Sequence, residues 1–141
     1  MAVIARARGV RIIKGAAESL PFENESFEFS IFVTTICFLQ DVEKSFKEAF
    51  RITKSSGFIV VAFIDKNSSI GKIYREKKKE SSFYEDAHFF SVEQVINLLK
   101  KAGYKDFSFR QTLSSLDNEN IQKVEEGYGH GGFVVIKGNK I

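Results

Sequence analysis

Residues 58–64 read FIVVAFI, a run of apolar side chains with no polar residue among them. A strand that faces water on one side alternates apolar and polar residues, so an unbroken apolar run is typical of a strand buried on both faces. The run is short and rich in β-branched residues, which favours a strand over a helix. It predicts the central strand of a sheet that helices cover on both sides.

Helical and strand patterns alternate around this run. Upstream, residues 27–34 are aromatic and β-branched, as in a buried strand. Asp41 then stands as the N-cap of a helix with apolar residues at helical spacing. Downstream, Ser91 and Gln94 have the spacing of a capping box, and Gly103 ends that helix. In chain order the predicted elements are helix 2–8, strand 10–13, strand 27–34, helix 42–57, strand 58–64, helix 68–79, helix 92–102, strand 104–112 and strand 133–137.

The order of these elements predicts one α/β domain over residues 1–141. Parallel strands need a crossover helix between them, whereas antiparallel strands do not. The last two strands have no helix between them. We therefore expect a mostly parallel sheet with an antiparallel C-terminal strand.

Composition narrows the class of protein. The 141 residues are 43% hydrophobic, enough for one domain with a core, and the charges nearly cancel at +3, which gives no argument for nucleic acid as a partner. No apolar run approaches the roughly 20 residues that cross a bilayer. The single cysteine, Cys37, cannot form an internal disulfide, and it has no basic neighbour that would make it a nucleophile. These features predict a soluble, cytoplasmic protein without a membrane partner.

Four segments carry a family resemblance. GAAESLPF at residues 15–22, followed by the strand opening FEF at 27–29, resembles the loop after the third strand and the start of the fourth strand of class I S-adenosylmethionine-dependent methyltransferases. Within that family it is most similar to the small-molecule enzymes related to ubiquinone and menaquinone biosynthesis. Residues 46–57, 89–93 and 101–104 resemble that fold's later helices. The resemblance covers its C-terminal two-thirds, and implies a Rossmann-like sheet, S-adenosylmethionine as cofactor and a small-molecule methyl acceptor.

The resemblance also implies a set of cofactor contacts. The loop at residues 15–22 would close over the adenine ring, with Ala17 and Glu18 next to the base. Val33 and Thr34, at the carboxyl end of the next strand, would lie near the sulfonium. The family commonly has Asp where this chain has Ala16, so a carboxylate that could bind the adenine amino group is replaced by a methyl group.

No residue stands out as a catalytic acid or base. Methyl transfer from a sulfonium needs mainly alignment of the reacting atoms. Candidates for the substrate pocket are Asp65, at the carboxyl end of a strand, the loop histidines His88 and His130, and the aromatic residues Tyr84 and Tyr128. Each also has a simpler interpretation, surface exposure for the histidines and aromatic packing for the tyrosines. No spacing suggests a metal site.

The family's glycine-rich loop, motif I, has no counterpart in this sequence. That loop follows the first strand and opens a helix, and a carboxylate after the second strand holds the ribose. The stretch GYGHGG at residues 127–132 precedes a strand instead, so we interpret it as a turn. The N-terminal two strands of the fold are also missing, and the helical pattern opens at Met1 with no N-cap. We therefore expect a truncated domain that binds the cofactor poorly or not at all.

Without those strands, residues 27–34 would form an open apolar edge of the sheet. Such an edge promotes pairing with another chain. We expect a homodimer or a partner chain there, and an alternative function follows: a noncatalytic interaction module built on a degenerate methyltransferase fold. A third reading makes the basic stretch 72–79 an RNA-binding surface, but its interspersed glutamates favour a solvated helix face.

Overall fold

The computed structural model describes residues 2–117 and 119–141. Its centre is a five-stranded mixed sheet in the order β1-β2-β5-β3-β4. The strands are β1 (Phe27–Val33), β2 (Thr53–Ile64), β3 (Lys105–Thr112), β4 (Glu125–Glu126) and β5 (Phe133–Asn139). The helices are α1 (Ala2–Ala7), α2 (Val42–Ile52), α3 (Ser69–Glu76) and α4 (Val92–Ala102), with short 3-10 turns at Ile36–Phe38 and Lys78–Glu80.

The direction of the strands follows from their connections. β1 and β2 are parallel, and α2 forms the crossover between them. β5 is antiparallel to both of its neighbours, β2 and β3. The predicted antiparallel C-terminal strand is therefore confirmed, and it lies inside the sheet, between β2 and β3. The resulting sheet is mixed, and β1 and β2 are its one parallel pair among the described residues.

One face of the sheet carries the core, beneath α2 and α4. Phe46 of α2 and Leu99 of α4 are fully buried against Ile59 and Val61 of β2. Phe32 of β1 meets Phe46 edge to face, with ring centroids 5.5 Å apart. The apolar residues that the sequence places at helical spacing in α2 pack here.

The predicted helix ends are confirmed at three caps. The Asp41 carboxylate accepts the Lys44 N–H at the start of α2. Ser91 and Gln94 form the capping box of α4, and Gly103 ends α4 with φ +112°. These signals are legible in the sequence because each satisfies backbone groups within a single turn.

The predicted extension of α2 to residue 57 is wrong, because the helix ends at Ile52 and β2 begins at Thr53. The Thr53 hydroxyl donates to the Ala49 carbonyl at 2.7 Å. Lys140 then closes the helix end, donating from Nζ to the carbonyl oxygens of Phe50 (2.9 Å) and Thr53 (2.6 Å). The helix therefore ends at a long-range contact with the C-terminal segment. No pattern in the sequence around Ile52 predicts that end.

The predicted strand at residues 10–13 is also wrong. The segment has no strand pairing, and Val10 instead donates its N–H to the Ala5 carbonyl at 3.0 Å behind α1. A β-branched stretch becomes a strand only beside another strand. None of the described strands lies alongside it.

The prediction that helices cover both faces of the central strand is wrong as well. Away from the core, Phe29, Ile31 and Val33 of β1 remain 49%, 55% and 53% exposed. Their neighbours on β2, Phe58 and Val60, are only half-buried. Of the predicted buried strand, Phe32 alone is buried. The outer face of β1, and its free edge, are covered by no element of the described residues.

Candidate cofactor and substrate site

The candidate site begins where β1 and β2 end. These strands are parallel and adjacent, so the residues that follow them, Thr34 and Asp65, lie at the same edge of the sheet. Thr34 continues the ladder by donating its N–H to the Ala62 carbonyl at 2.8 Å. It does so with φ +47°, a conformation that costs a non-glycine residue free energy and that recurs at functional sites.

A small cavity opens beside Thr34. Its volume is about 30 Å³, enough for a water molecule or two. The cavity brings together three of the predicted site residues, Thr34, Tyr84 and His88. Its lining is Thr34, Ile36, Cys37, Phe63, Ile64, Tyr84, His88, Phe89 and Phe90. No carboxylate, lysine or arginine side chain is among these residues, so the lining is mainly aromatic and apolar and offers no charged partner to an anion.

Aromatic side chains form one wall of this cavity. The Tyr84 ring lies 4.9 Å from Phe83 and 5.2 Å from Tyr74, both edge to face, and 6.1 Å from Phe89. Phe38 contacts both Phe83 and Tyr84. Burial, followed by the nearby Tyr74 and Cys37, raises the pKa of Tyr84. Its hydroxyl therefore stays protonated at neutral pH and can donate a hydrogen bond.

Backbone contacts fix the segment that carries His88. The His88 N–H donates to the Cys37 carbonyl at 2.8 Å, which joins this segment to the turn after β1. The His88 side chain is exposed at the cavity mouth. Burial raises the pKa of the Cys37 thiol, and its Sγ lies 3.6 Å from the Thr34 carbonyl oxygen. A protonated, half-buried thiol is a weak nucleophile.

Asp65 lies at the predicted edge but does not line the cavity. Its side chain is buried, and one carboxylate oxygen accepts the Asn67 N–H at 3.0 Å in the turn before α3. Its N–H donates to the Gly132 carbonyl at 2.9 Å. Burial raises the pKa of the Asp65 carboxyl, while the N–H groups of Asn67 and Val92 oppose that shift. Through these contacts Asp65 stabilises the turn before α3.

Residues 15–24, here called the base loop, lie against the start of α2. The loop turns tightly, with the Ser19 N–H donating to the Ala16 carbonyl at 3.1 Å. Ala17 packs on the core, and the Glu18 carboxylate accepts the N–H of Asp41 at 3.3 Å. A Cβ at Gly15 would lie 2.9 Å from the Pro21 ring, so the loop folds back on itself.

Two residues that the sequence reasoning missed, Glu48 and Arg51, hold the base loop. The Arg51 guanidinium donates to the carbonyl oxygens of Leu20 (3.1 Å) and Phe22 (2.7 Å). It also forms a bidentate pair with Glu48, at 2.8 and 2.9 Å. Glu48 in turn accepts the Leu20 N–H at 2.8 Å. In the sequence, the sign of this pair is an acidic and a basic residue three positions apart on α2. That spacing is equally typical of a solvated surface pair.

Arg51 sets the charge state of its partner. Its hydrogen bonds lower the pKa of the Glu48 carboxyl to about 2, and the Leu20 N–H adds to the effect against the opposing influence of burial. Glu48 raises the pKa of Arg51 in return. The pair is therefore fully ionised at neutral pH, as two charge-assisted hydrogen bonds require.

The glycine-rich loop after β4 carries the other two candidates, Tyr128 and His130. Tyr128 packs on Phe109 with ring centroids 4.9 Å apart, and His130 Nδ1 lies 3.1 Å from a Glu125 carboxylate oxygen. Neither lines the cavity beside Thr34. His130 instead borders a separate polar hollow of about 230 Å³. The loop is a turn, as predicted, at the same edge of the sheet as Thr34.

Gln111, which the sequence reasoning also missed, fixes this loop. Its buried side-chain carbonyl accepts the N–H groups of His130 (2.9 Å) and Gly131 (2.7 Å), and its amide donates to the Glu126 carbonyl at 3.2 Å. A buried glutamine needs such partners, since unpaired polar groups inside a protein are costly.

Within residues 2–117 and 119–141, two kinds of feature are absent. No three histidine, cysteine, aspartate or glutamate side chains gather as ligands of a metal ion would. No helix of that part of the chain is long and apolar enough to cross a bilayer.

The fold and the site define a Rossmann-like domain of the methyltransferase type, and comparisons with known proteins agree. The family model described as "Methyltransferase domain" matches residues 1–61. A solved structure from Thermotoga maritima, described as an S-adenosylmethionine-dependent methyltransferase and possible histamine N-methyltransferase, is 48% identical with a TM-score of 0.97. The alignment covers 100% of this chain and 69% of that one. The chain belongs to the S-adenosylmethionine-dependent methyltransferase family.

Two curated relatives extend the comparison. An uncharacterized protein of Methanocaldococcus jannaschii is 42% identical over 142 residues, which is 100% of this chain and 69% of the relative. A chloroplast 2-methyl-6-phytyl-1,4-hydroquinone methyltransferase of Oryza sativa is 29% identical over 106 residues, which is 74% of this chain and 28% of that enzyme. The family implies S-adenosylmethionine as the cofactor.

The described residues fit one part of that cofactor. The base loop folds back with Pro21 against Gly15. Pro21 and Phe22 border an open hollow together with Ile12 and Ile13, which gives the loop an apolar side. Thr34 follows β1 with φ +47°. Among residues 2–117 and 119–141, no glycine-rich turn joins a strand to a following helix. The base loop and Thr34 are the described residues that the family resemblance assigns to the adenine and the sulfonium.

Proposed function

We propose that the chain forms the adenine side and the acceptor side of a methyltransferase that transfers a methyl group from S-adenosylmethionine to a small molecule bearing a planar ring. The observation that carries the proposal is the meeting of Thr34, Tyr84 and His88 in one aromatic cavity at the carboxyl end of β1. Open α/β sheets place their ligands at this edge.

Each residue of the site has a proposed role. Bound S-adenosylmethionine supplies an activated methyl group. Ala17 and Glu18 contact the adenine, and Val33 and Thr34 lie beside the sulfonium. Ala16, which has no polar side chain, makes only van der Waals contact with the base. The aromatic wall around Tyr84 orients the acceptor and excludes water, which is sufficient for a displacement that depends on alignment.

The aromatic wall supports a ring-bearing acceptor. Rings pack favourably edge to face, and aromatic faces also attract cations. The names of two relatives, a possible histamine N-methyltransferase and a hydroquinone methyltransferase, both refer to ring-bearing acceptors. His88 lies at the mouth, where it can receive a proton from an amine. Asp65, Tyr128 and His130 stay secondary candidates for acceptor contacts.

The test is the formation of S-adenosylhomocysteine when the chain is incubated with S-adenosylmethionine and either histamine or a hydroquinone. We expect product with at least one acceptor and a large loss in Tyr84→Leu. Loss in Tyr128→Leu instead would place the acceptor at the glycine-rich loop. Absence both of product and of any Tyr84-dependent binding of histamine or the hydroquinone would contradict the proposal.

A second candidate function rests on the open edge of β1. Ile31 and Val33 are more than half exposed there, beside Phe29 on the same face. Parallel sheets are ordinarily covered on both sides, and open apolar edges recruit further strands. As this second candidate we propose a noncatalytic interaction module, in which a strand of a second copy or of a partner chain pairs with β1.

Amide exchange separates the two functions. The Thr34 N–H points toward β2, so by the period of two along a strand the N–H groups of Ile31 and Val33 point to the free edge. Concentration-dependent protection of those two amides, with no binding of S-adenosylmethionine, would favour a noncatalytic interaction module. Their rapid exchange together with cofactor binding would favour the catalytic function in the isolated chain.

A nucleic-acid function has less support. Lys72, Arg75, Lys77 and Lys79 are exposed on and after α3, but Glu76 and Glu80 are exposed among them. Mixed charge of this kind is typical of a solvated helix face.

A further inference from the structure

We infer that Glu48 and Arg51 are positioning residues that hold the base loop ready to receive a nucleoside, an inference that rests on the adenine side of the proposed function. Neither residue lines the cavity beside Thr34. Both act on the site through the backbone of Leu20, Pro21 and Phe22. The ligand class is the adenine nucleoside itself, with or without an attached amino acid.

Glu48 and Arg51 together satisfy both backbone hydrogen-bonding groups of Leu20 and hold the residues after it. At Leu20, the N–H donates to Glu48 (2.8 Å) and the carbonyl accepts from Arg51 (3.1 Å). Arg51 also reaches the Phe22 carbonyl (2.7 Å) and the Asn24 side-chain oxygen (3.0 Å). One helical turn of α2 therefore fixes three successive points of the loop.

The loop has few internal hydrogen bonds of its own. Within the loop and at its end, these are the Ser19–Ala16 backbone bond and the bond from the Ser26 hydroxyl to the Glu23 carbonyl. Neither constrains the Leu-Pro-Phe segment between them. A loop that is ordered before its ligand arrives avoids the entropy cost of ordering on binding. The Glu48–Arg51 pair supplies that order.

Only an arginine suits this geometry. Its planar guanidinium directs several N–H donors at fixed angles, whereas a lysine presents a single ammonium group. Arg51→Lys keeps the charge opposite Glu48 but cannot reach Leu20, Phe22 and Asn24 together. Glu48→Gln keeps the shape and the Arg51 contact but removes the ion pair. The two variants thus perturb the loop through different partners.

The experiment measures the binding of 5′-methylthioadenosine, which has the adenine and ribose but no amino acid, by calorimetry on the intact chain. Amide exchange at Leu20 and the melting temperature are recorded for the same samples. The matched control is Lys47→Gln, which breaks the exposed Lys47–Glu43 pair on the same helix, away from the loop.

We expect the chain to bind the nucleoside, and Arg51→Lys and Glu48→Gln to bind it at least tenfold more weakly with faster exchange at Leu20. Lys47→Gln should match the unchanged protein in both measurements. A melting temperature that falls while nucleoside affinity stays constant would show a merely structural role and overturn the inference. Absence of nucleoside binding by the unchanged chain would overturn it too. Nucleoside binding without methyl transfer to any acceptor would refute the proposed function and leave this inference standing.

Discussion

Thr34 and Asp65 occupy equivalent positions, each the first residue beyond one of two adjacent parallel strands, yet their surroundings are opposite. Thr34 is exposed at the cavity with a positive φ, whereas Asp65 is 5% exposed and hydrogen-bonded within a turn. The candidate site at this edge therefore lies at the end of β1. The Asp65 carboxylate instead stabilises the turn that leads to α3.

Tyr104→Phe should leave stability unchanged or raise it, within about 1 kcal/mol. The Tyr104 ring is fully buried against Phe50, and within residues 2–117 and 119–141 its hydroxyl has no hydrogen-bond partner. Burial raises the pKa of Tyr104 to about 12. Denaturant unfolding of both proteins measures the difference. A loss above 2 kcal/mol would mean that the hydroxyl has a partner in solution.

Glu48→Gln should change how the free energy of unfolding depends on pH. Because the pKa of Glu48 is lowered to about 2 by Arg51, its carboxylate stabilises the folded state fully above its unfolded pKa of about 4.5. That contribution disappears as the pH falls from about 4.5 to 2. The variant should be less stable than the unchanged protein at pH 7 and converge with it near pH 2. Thermal melts across this range check the convergence, and a constant difference would contradict the assigned ion pair.

Gly103→Ala should destabilise more than Gly129→Ala. Both glycines have positive φ, +112° and +98°, which an alanine tolerates poorly. A Cβ at Gly103 would also lie 2.9 Å from the Phe50 ring, whereas nothing lies within 4 Å at Gly129. We expect a loss of about 1–2 kcal/mol from φ strain at Gly129 and a larger one at Gly103. Equal losses would show that the Phe50 ring moves aside freely.

Ile31→Lys should reduce self-association without loss of stability. Ile31 is 55% exposed on the open edge strand, and charged residues on such edges prevent unwanted pairing. Sedimentation velocity over a range of concentrations should show less dimer or aggregate in the variant. The control is Lys54→Gln, which changes an exposed residue at the start of β2. An unchanged distribution in Ile31→Lys would mean that chains do not meet through β1.

The parts of the fold that the sequence predicts are those with local causes. The Ser91–Gln94 capping box, the Asp41 cap and the Gly103 terminus each lie within one turn of the backbone that they satisfy, and all three are confirmed. The end of α2 was misplaced because a contact with Lys140 closes it. The strand predicted at residues 10–13 failed because strand propensity does not provide a neighbouring strand.

The site follows the same rule. The family resemblance predicts a role for the base loop, and the strand order predicts that Thr34 lies at the carboxyl edge of the sheet; both roles stay predictions. The meeting of Tyr84 and His88 with Thr34 depends on a backbone bond to Cys37 across the fold. The role of the Glu48–Arg51 pair could not be predicted from the sequence, for a different reason. An acid and a base one turn apart look alike whether they bind water or a distant loop.

Lys140 carries one more consequence. Its ammonium group closes the end of the helix whose last turn holds Arg51, and it also lies 3.5 Å from Glu25, just past the base loop. Lys140→Met, which keeps the length of the side chain and removes its ammonium group, should therefore loosen the base loop, more than a hundred positions earlier in the chain. We expect the same variant to bind 5′-methylthioadenosine more weakly, which calorimetry measures.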